Sequence, residues 1–100
     1  MRIARVIGSV TLNRVHPLLG GCVLRLAVPL AWPELAAGAP AAGLPAGESL
    51  VLLDELGAGC GSQVALSEGV EAAQPFFPEY KPVDAYCAAI LDRIDLEPPP

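Results

Sequence analysis

Basic side chains are scarce in this chain of 100 residues. The six present (Arg2, Arg5, Arg14, Arg25, Lys81 and Arg93) are scattered and form no run. Against eleven acidic residues they leave a net charge of −5 and an isoelectric point of about 4.6. That argues against a nucleic-acid partner, whose phosphates need a basic face. Aromatic residues are only 5% of the chain, too few for a base-stacking platform. The three cysteines, Cys22, Cys60 and Cys87, are odd in number and widely spaced. No disulfide framework follows, and a reducing cytosol is the simpler setting. No uninterrupted apolar run is long enough for a membrane span. Leu18 to Trp32 comes nearest, but Gly20, Gly21, Arg25 and Pro29 break it. Leu19-Gly20-Gly21-Cys22 imitates a lipoprotein cleavage box, yet Arg14, His16 and Pro17 stand where its apolar core should be. A cytoplasmic protein without a membrane anchor is expected.

Apolar residues, by contrast, are abundant. They make up 53% of the sequence against 17% charged, with a mean hydropathy of +0.49. One hundred residues fit one domain, and a domain so small has too much surface to hide that much apolar area within itself. Either Ala and Gly inflate the count, or part of the apolar surface is buried between chains.

The chain reads as a series of short strands. Arg2 to Asn13 alternates, with Ala4, Val6, Val10 and Leu12 sharing one face, and Gly8 in its middle is a bulge or coiling signal. Cys22 to Leu30 places Cys22, Leu24, Leu26, Val28 and Leu30 on one face and Arg25 and Pro29 on the other, with Pro29 marking an edge or a bulge. Trp32 to Gly47 is an Ala/Gly/Pro connector with room for a helical turn near Pro33 to Ala37. Glu48 to Asp54 and Gln63 to Ser67 are further strands, separated by a turn with glycine at 57, 59 and 61. Gly69 to Ala73 fits one turn of helix, and Gln74 to Pro82 an irregular loop. Val83 to Asp95 fits a buried strand and an alanine-rich helix equally well. Residues 1–95 form the domain, and 96–100 a proline-rich tail. Short strands with glycine turns and little helix predict an all-β fold, a small barrel whose closure removes exposed edges.

Residues that could carry chemistry have plainer readings. Gly57-Ala58-Gly59-Cys60-Gly61 lacks the following helix that a dinucleotide fingerprint needs, and a tight turn explains its glycines. Cys22, Cys60, Cys87 and His16 could make a zinc set by count, but no pair has ligand spacing. Cys22 and Cys87 sit in apolar strand patterns, where cysteine serves as a small core residue. Cys60 has acidic neighbours, Asp54 and Glu55, rather than the cations that activate a thiol. The acids Glu48, Asp54, Glu55, Glu68 and Glu71 read as a solvated surface. Neither a metal nor a cofactor is expected. The cluster of Phe76, Phe77 and Tyr80 either plugs one barrel end or anchors a subunit contact.

Four segments, in order, resemble the pentameric shell proteins of bacterial microcompartments, the family of carboxysome and ethanolamine-utilisation vertex proteins. They are Met1 to Val10, His16 to Gly21, Asp54 to Val64 with its Gly57-Ala58-Gly59 core, and Pro82 to Ala85 followed by Ala89 to Asp92. Ser62 stands where that family usually has an acid, and the connector from Trp32 to Gly47 is longer than its usual hairpin. The resemblance implies a five-stranded, oligonucleotide-binding-like barrel with one short helix, assembled as a cyclic homopentamer. It makes the C-terminal segment a strand. It also implies a structural role without catalysis, at the vertices of a polyhedral shell, with copies of itself and hexagonal shell proteins as partners. Gly57, Ala58, Gly59, Cys60, Gly61, Phe76, Phe77 and Tyr80 are the candidates for interface or axial positions. Two other classes compete: a barrel binding module for a peptide or small ligand, and a small cysteine enzyme or metalloprotein.

Overall fold

In the computed structural model, residues 1–36, 47–79 and 81–97 are described. Most of the Trp32 to Gly47 connector, Tyr80 and the end of the tail therefore lie outside the described residues. Five strands appear in chain order: β1 (Arg2–Val10), β2 (Val23–Pro29), β3 (Leu50–Asp54), β4 (Gln63–Glu68) and β5 (Ala85–Ile90). A short helix, α1 (Trp32–Ala36), follows β2, and 3₁₀ helices cover Pro17–Leu19 and Gly69–Phe76. The strands close into a barrel in the order β1-β2-β3-β5-β4, with β4 returning to β1. Every pairing is antiparallel except β3 with β5, where Leu53 lies opposite Tyr86. This is the oligonucleotide-binding order expected from the resemblance.

Gly8 acts as the sequence suggests. Val6 pairs with Ala27 and Gly8 with Leu26, so Ile7 is the extra residue of a bulge that curls β1 between two neighbours. Pro29 marks a local edge rather than a bulge: β2 pairs with β3 only as far as Ala27, so Pro29 has a partner in β1 alone. It is the last residue of β2, opposite Ala4, where its missing N–H costs no further rung. The first strand stops at Val10 rather than Asn13, and the helical turn after Glu68 runs on to Phe76, through Pro75.

The lumen of a five-stranded barrel is narrow, and small side chains fill it. Ala4, Val6, Ala27, Leu52, Val64, Leu66, Ala85 and Cys87 form one buried cluster, with Ala58 inserted from the turn after β3. Because side chains alternate along a strand, this filling puts Leu24, Leu26 and Val28 of β2 and Val51 and Leu53 of β3 on the outer wall. Alanine and valine share the lumen with Leu52 and Leu66, while the leucines of β2 lie outside. Val28 and Leu53 are nonetheless buried on that wall, while Val51 is 44% exposed.

Candidate assembly surface

Three features shape the surface: the glycine turn, the aromatic segment before β5, and the apolar outer wall. The glycine turn is built on Asp54. Its carboxylate is buried, with Oδ1 accepting from the Leu56 amide at 2.9 Å and Oδ2 from the Ala58 amide at 2.7 Å. Asp54 therefore corrects the expectation of a solvated acid: it is a buried cap whose oxygens replace lost water with two amide donors. Gly57 and Gly61 take positive φ values of 85° and 92°, the conformation that favours glycine, whereas Gly59 does not. Ala58 fills the barrel mouth, and Gly59 and Cys60 stand on the exposed lip.

The turn is also tied to β5. Tyr86 donates its hydroxyl to Glu55 at 2.8 Å, and this bond, helped by burial, pushes the phenol up to about 12. Phe76 packs edge-on against Tyr86 with ring centroids 5.5 Å apart, so this aromatic belongs to the protomer's own fold. Lys81 lies 5.0 Å from the centre of the Phe76 ring and donates to the Leu18 carbonyl, clipping the segment before β5 to the β1–β2 loop. Phe77 points away and is 70% exposed. Asp54, Lys81 and Tyr86 were not singled out from the sequence as organising residues. A lone acid four residues before an alanine between glycines carries little signal of its own, and Lys81 and Tyr86 act across long separations.

The outer wall carries a groove of about 420 Å³ lined by Leu12, Leu19, Leu24, Val51, Leu53 and Val83, among others. Among the described residues no charged side chain other than Asp84 borders it.

The polar and nucleophilic groups sit apart. His16 Nδ1 accepts from the Leu18 amide at 3.1 Å, capping the first 3₁₀ helix. Cys60 is exposed and Cys22 half-buried just ahead of β2, outside the barrel core assigned to it from its pattern. Cys87 is in the core, and burial together with the Asp54 charge pushes its thiol up to about 11. A thiol so disfavoured as thiolate is a packing group. Among the described residues no three His, Cys, Asp or Glu side chains gather closely enough to hold a metal ion. No helix of the described residues is long and apolar enough to cross a membrane.

A small closed barrel with its glycine turn capped from within and aliphatic side chains such as Leu24 and Val51 on its outer wall presents a surface suited to packing against other protein. Residues 1–92 match the family described as ethanolamine utilisation protein EutN/carboxysome, and the chain belongs to that family of microcompartment shell proteins. Solved structures agree. The GrpN pentameric microcompartment shell protein from Rhodospirillum rubrum is 27% identical with a TM-score of 0.77, over 97% of this chain and 100% of that one. CcmL of Gloeobacter violaceus is 30% identical with a TM-score of 0.78, over 97% of this chain and 91% of that one. CcmL of Nostoc is 34% identical with a TM-score of 0.75, over 94% and 92% respectively. Among curated proteins none matches the chain by sequence.

Proposed function

We infer that the chain assembles as a cyclic homopentamer and closes the vertices of a polyhedral microcompartment shell in the cytoplasm. Its partners there are copies of itself and hexagonal shell proteins, and its role is mechanical rather than catalytic. The observation that carries this reading is the full-length likeness to a pentameric shell protein, combined with leucine and valine on the outer wall of a filled barrel. Water-exposed aliphatic walls are stabilised by burial against protein, at about 25 cal/mol for each Å² covered. Residues 1–95 act as the barrel unit and 96–100 as a tail. The glycine turn is the candidate for the crowded axial position, with Gly59 and Cys60 on its lip. A Cβ at Gly59 meets no heavy atom within 4 Å, so a side chain there starts into open space, and Gly59→Trp, with folding checked by circular dichroism, should block a ring that has this turn at its axis.

Light scattering on the purified chain tests the assembly. The expected mass is near five times the 10.3 kDa of one chain, with pentagonal rings in electron micrographs. A single-chain mass at high concentration overturns the reading.

A further inference from the structure

We propose that neighbouring copies meet through two unlike surfaces: the tip of the β1–β2 loop on one copy, and the face made by the second 3₁₀ helix and the segment before β5 on the next. The assignment rests on the reading of the chain as a cyclic oligomer and says which surfaces close it.

The loop tip presents Leu12 and Val15, 43% and 46% exposed, with an exposed Arg14 between them. Arg14 makes no ion pair among the described residues. The second face presents Val70 and Phe77, 80% and 70% exposed, beside a groove of about 440 Å³. Glu79 and Asp84 also line that groove and form no ion pair among the described residues, and no cation lines it. The nearby Lys81 is committed elsewhere, to the Leu18 carbonyl and the Phe76 ring. One surface thus offers two aliphatic side chains around a cation, and the other an apolar groove with two carboxylates at its rim. The two surfaces are alike in exposing apolar area and opposite in sign of charge. Two like-charged groove faces could not pair with each other in this way, so the partner is the loop tip of another copy. A contact between unlike patches propagates from copy to copy and ends only when the rotation closes a ring.

The test is charge reversal at exposed positions, read by light scattering and native mass spectrometry, with circular dichroism to confirm folding. Arg14→Glu and Glu79→Arg should each weaken self-association by about tenfold or more, the scale of replacing one interfacial attraction by a repulsion. The combined variant should recover most of that loss. If Arg14→Glu stays as fully assembled as the wild type, or the combined variant fails to recover, this contact is wrong while the ring stands. A wild-type particle of two chains overturns it in favour of a self-complementary interface. A wild-type chain that never associates removes the reading beneath it.

Discussion

Arg25 and Asp54 lie diagonally across the β2–β3 ladder, Nε and Oδ2 being 3.5 Å apart, with the carboxylate buried and the arginine side chain 25% exposed. The arginine also donates to the Ser9 hydroxyl at 2.6 Å. Asp54 therefore holds its own turn by two shorter amide bonds, and the arginine is the weaker partner.

Removing the carboxylate should cost more than removing the cation. Asp54→Ala leaves the Leu56 and Ala58 amides without their acceptor and should lower stability by about 2–4 kcal/mol. Arg25→Met, at a partly solvated site, should cost about 1 kcal/mol or less. Urea denaturation of both variants checks the order, and equal losses would contradict the capping role.

The three turn glycines should not behave alike. Gly61→Ala forces a φ of 92° on a residue with a Cβ and should destabilise by about 1 kcal/mol or more. Gly59→Ala meets open space at an ordinary φ and should be neutral or slightly stabilising. Thermal melts of the two variants suffice, and a Gly59→Ala loss as large as that of Gly61→Ala counts against the turn described.

Alkaline pH should loosen the barrel. Folding holds the proton on Cys87 up to about 11, chiefly through burial, and on Tyr86 up to about 12, chiefly through the bond to Glu55. The unfolded groups ionise near 9 and 10, so the stability these two supply is intact below pH 9. It then drains away as pH rises towards 11 and 12, because only the unfolded chain releases its protons early. Denaturation midpoints recorded at rising pH in reductant should fall over that window, and Tyr86→Phe should flatten the upper half. A flat profile for the wild type would refute this.

At the acid end the expected effect is small. Arg2 donates to Glu68 through Nε at 2.7 Å and through a second nitrogen, stapling the start of β1 to the end of β4 and holding Glu68 below its ordinary range. A lowered carboxylate contributes stability above its unfolded value of 4.5 and loses it as pH drops through its folded one. The side chains are 52% and 35% exposed, so water screens the pair to about 0.2–1 kcal/mol. A double-mutant cycle with Arg2→Met and Glu68→Gln should show that coupling at low salt and lose it in concentrated salt.

Strand positions were legible because alternation and glycine are local signals. The structure places β3 and β4 within two residues of the ends drawn from the sequence, and Gly8 bulges as its position suggests. Orientation was not legible. Period two tells which residues of β2 share a face, and hydrophobicity alone favours its leucines for the interior. Lumen width decided otherwise, admitting Ala27 opposite Val6 and sending Leu24 and Leu26 outward. For the same reason the pattern of the C-terminal segment left strand and helix open, since Ala85, Cys87 and Ala89 suit either; the family resemblance pointed to a strand, and the pairing of Ala85–Ile90 with β4 agrees. Of the interface candidates, Phe76 packs on Tyr86 and Ala58 in the core, while Gly57, Gly59, Cys60, Gly61 and Phe77 are exposed. Tyr80 lies outside the described residues.

The last strand to be synthesised, β5, sits between β3 and β4 and is the stave that seals the cylinder. No nascent chain can finish its barrel before Ile90 has left the ribosome. Until that moment the growing polypeptide exposes two unpaired strand borders, so neighbours on one messenger risk tangling rather than docking. Productive association must therefore wait until β5 is seated between β3 and β4, which ties docking between copies to the closing of the cylinder.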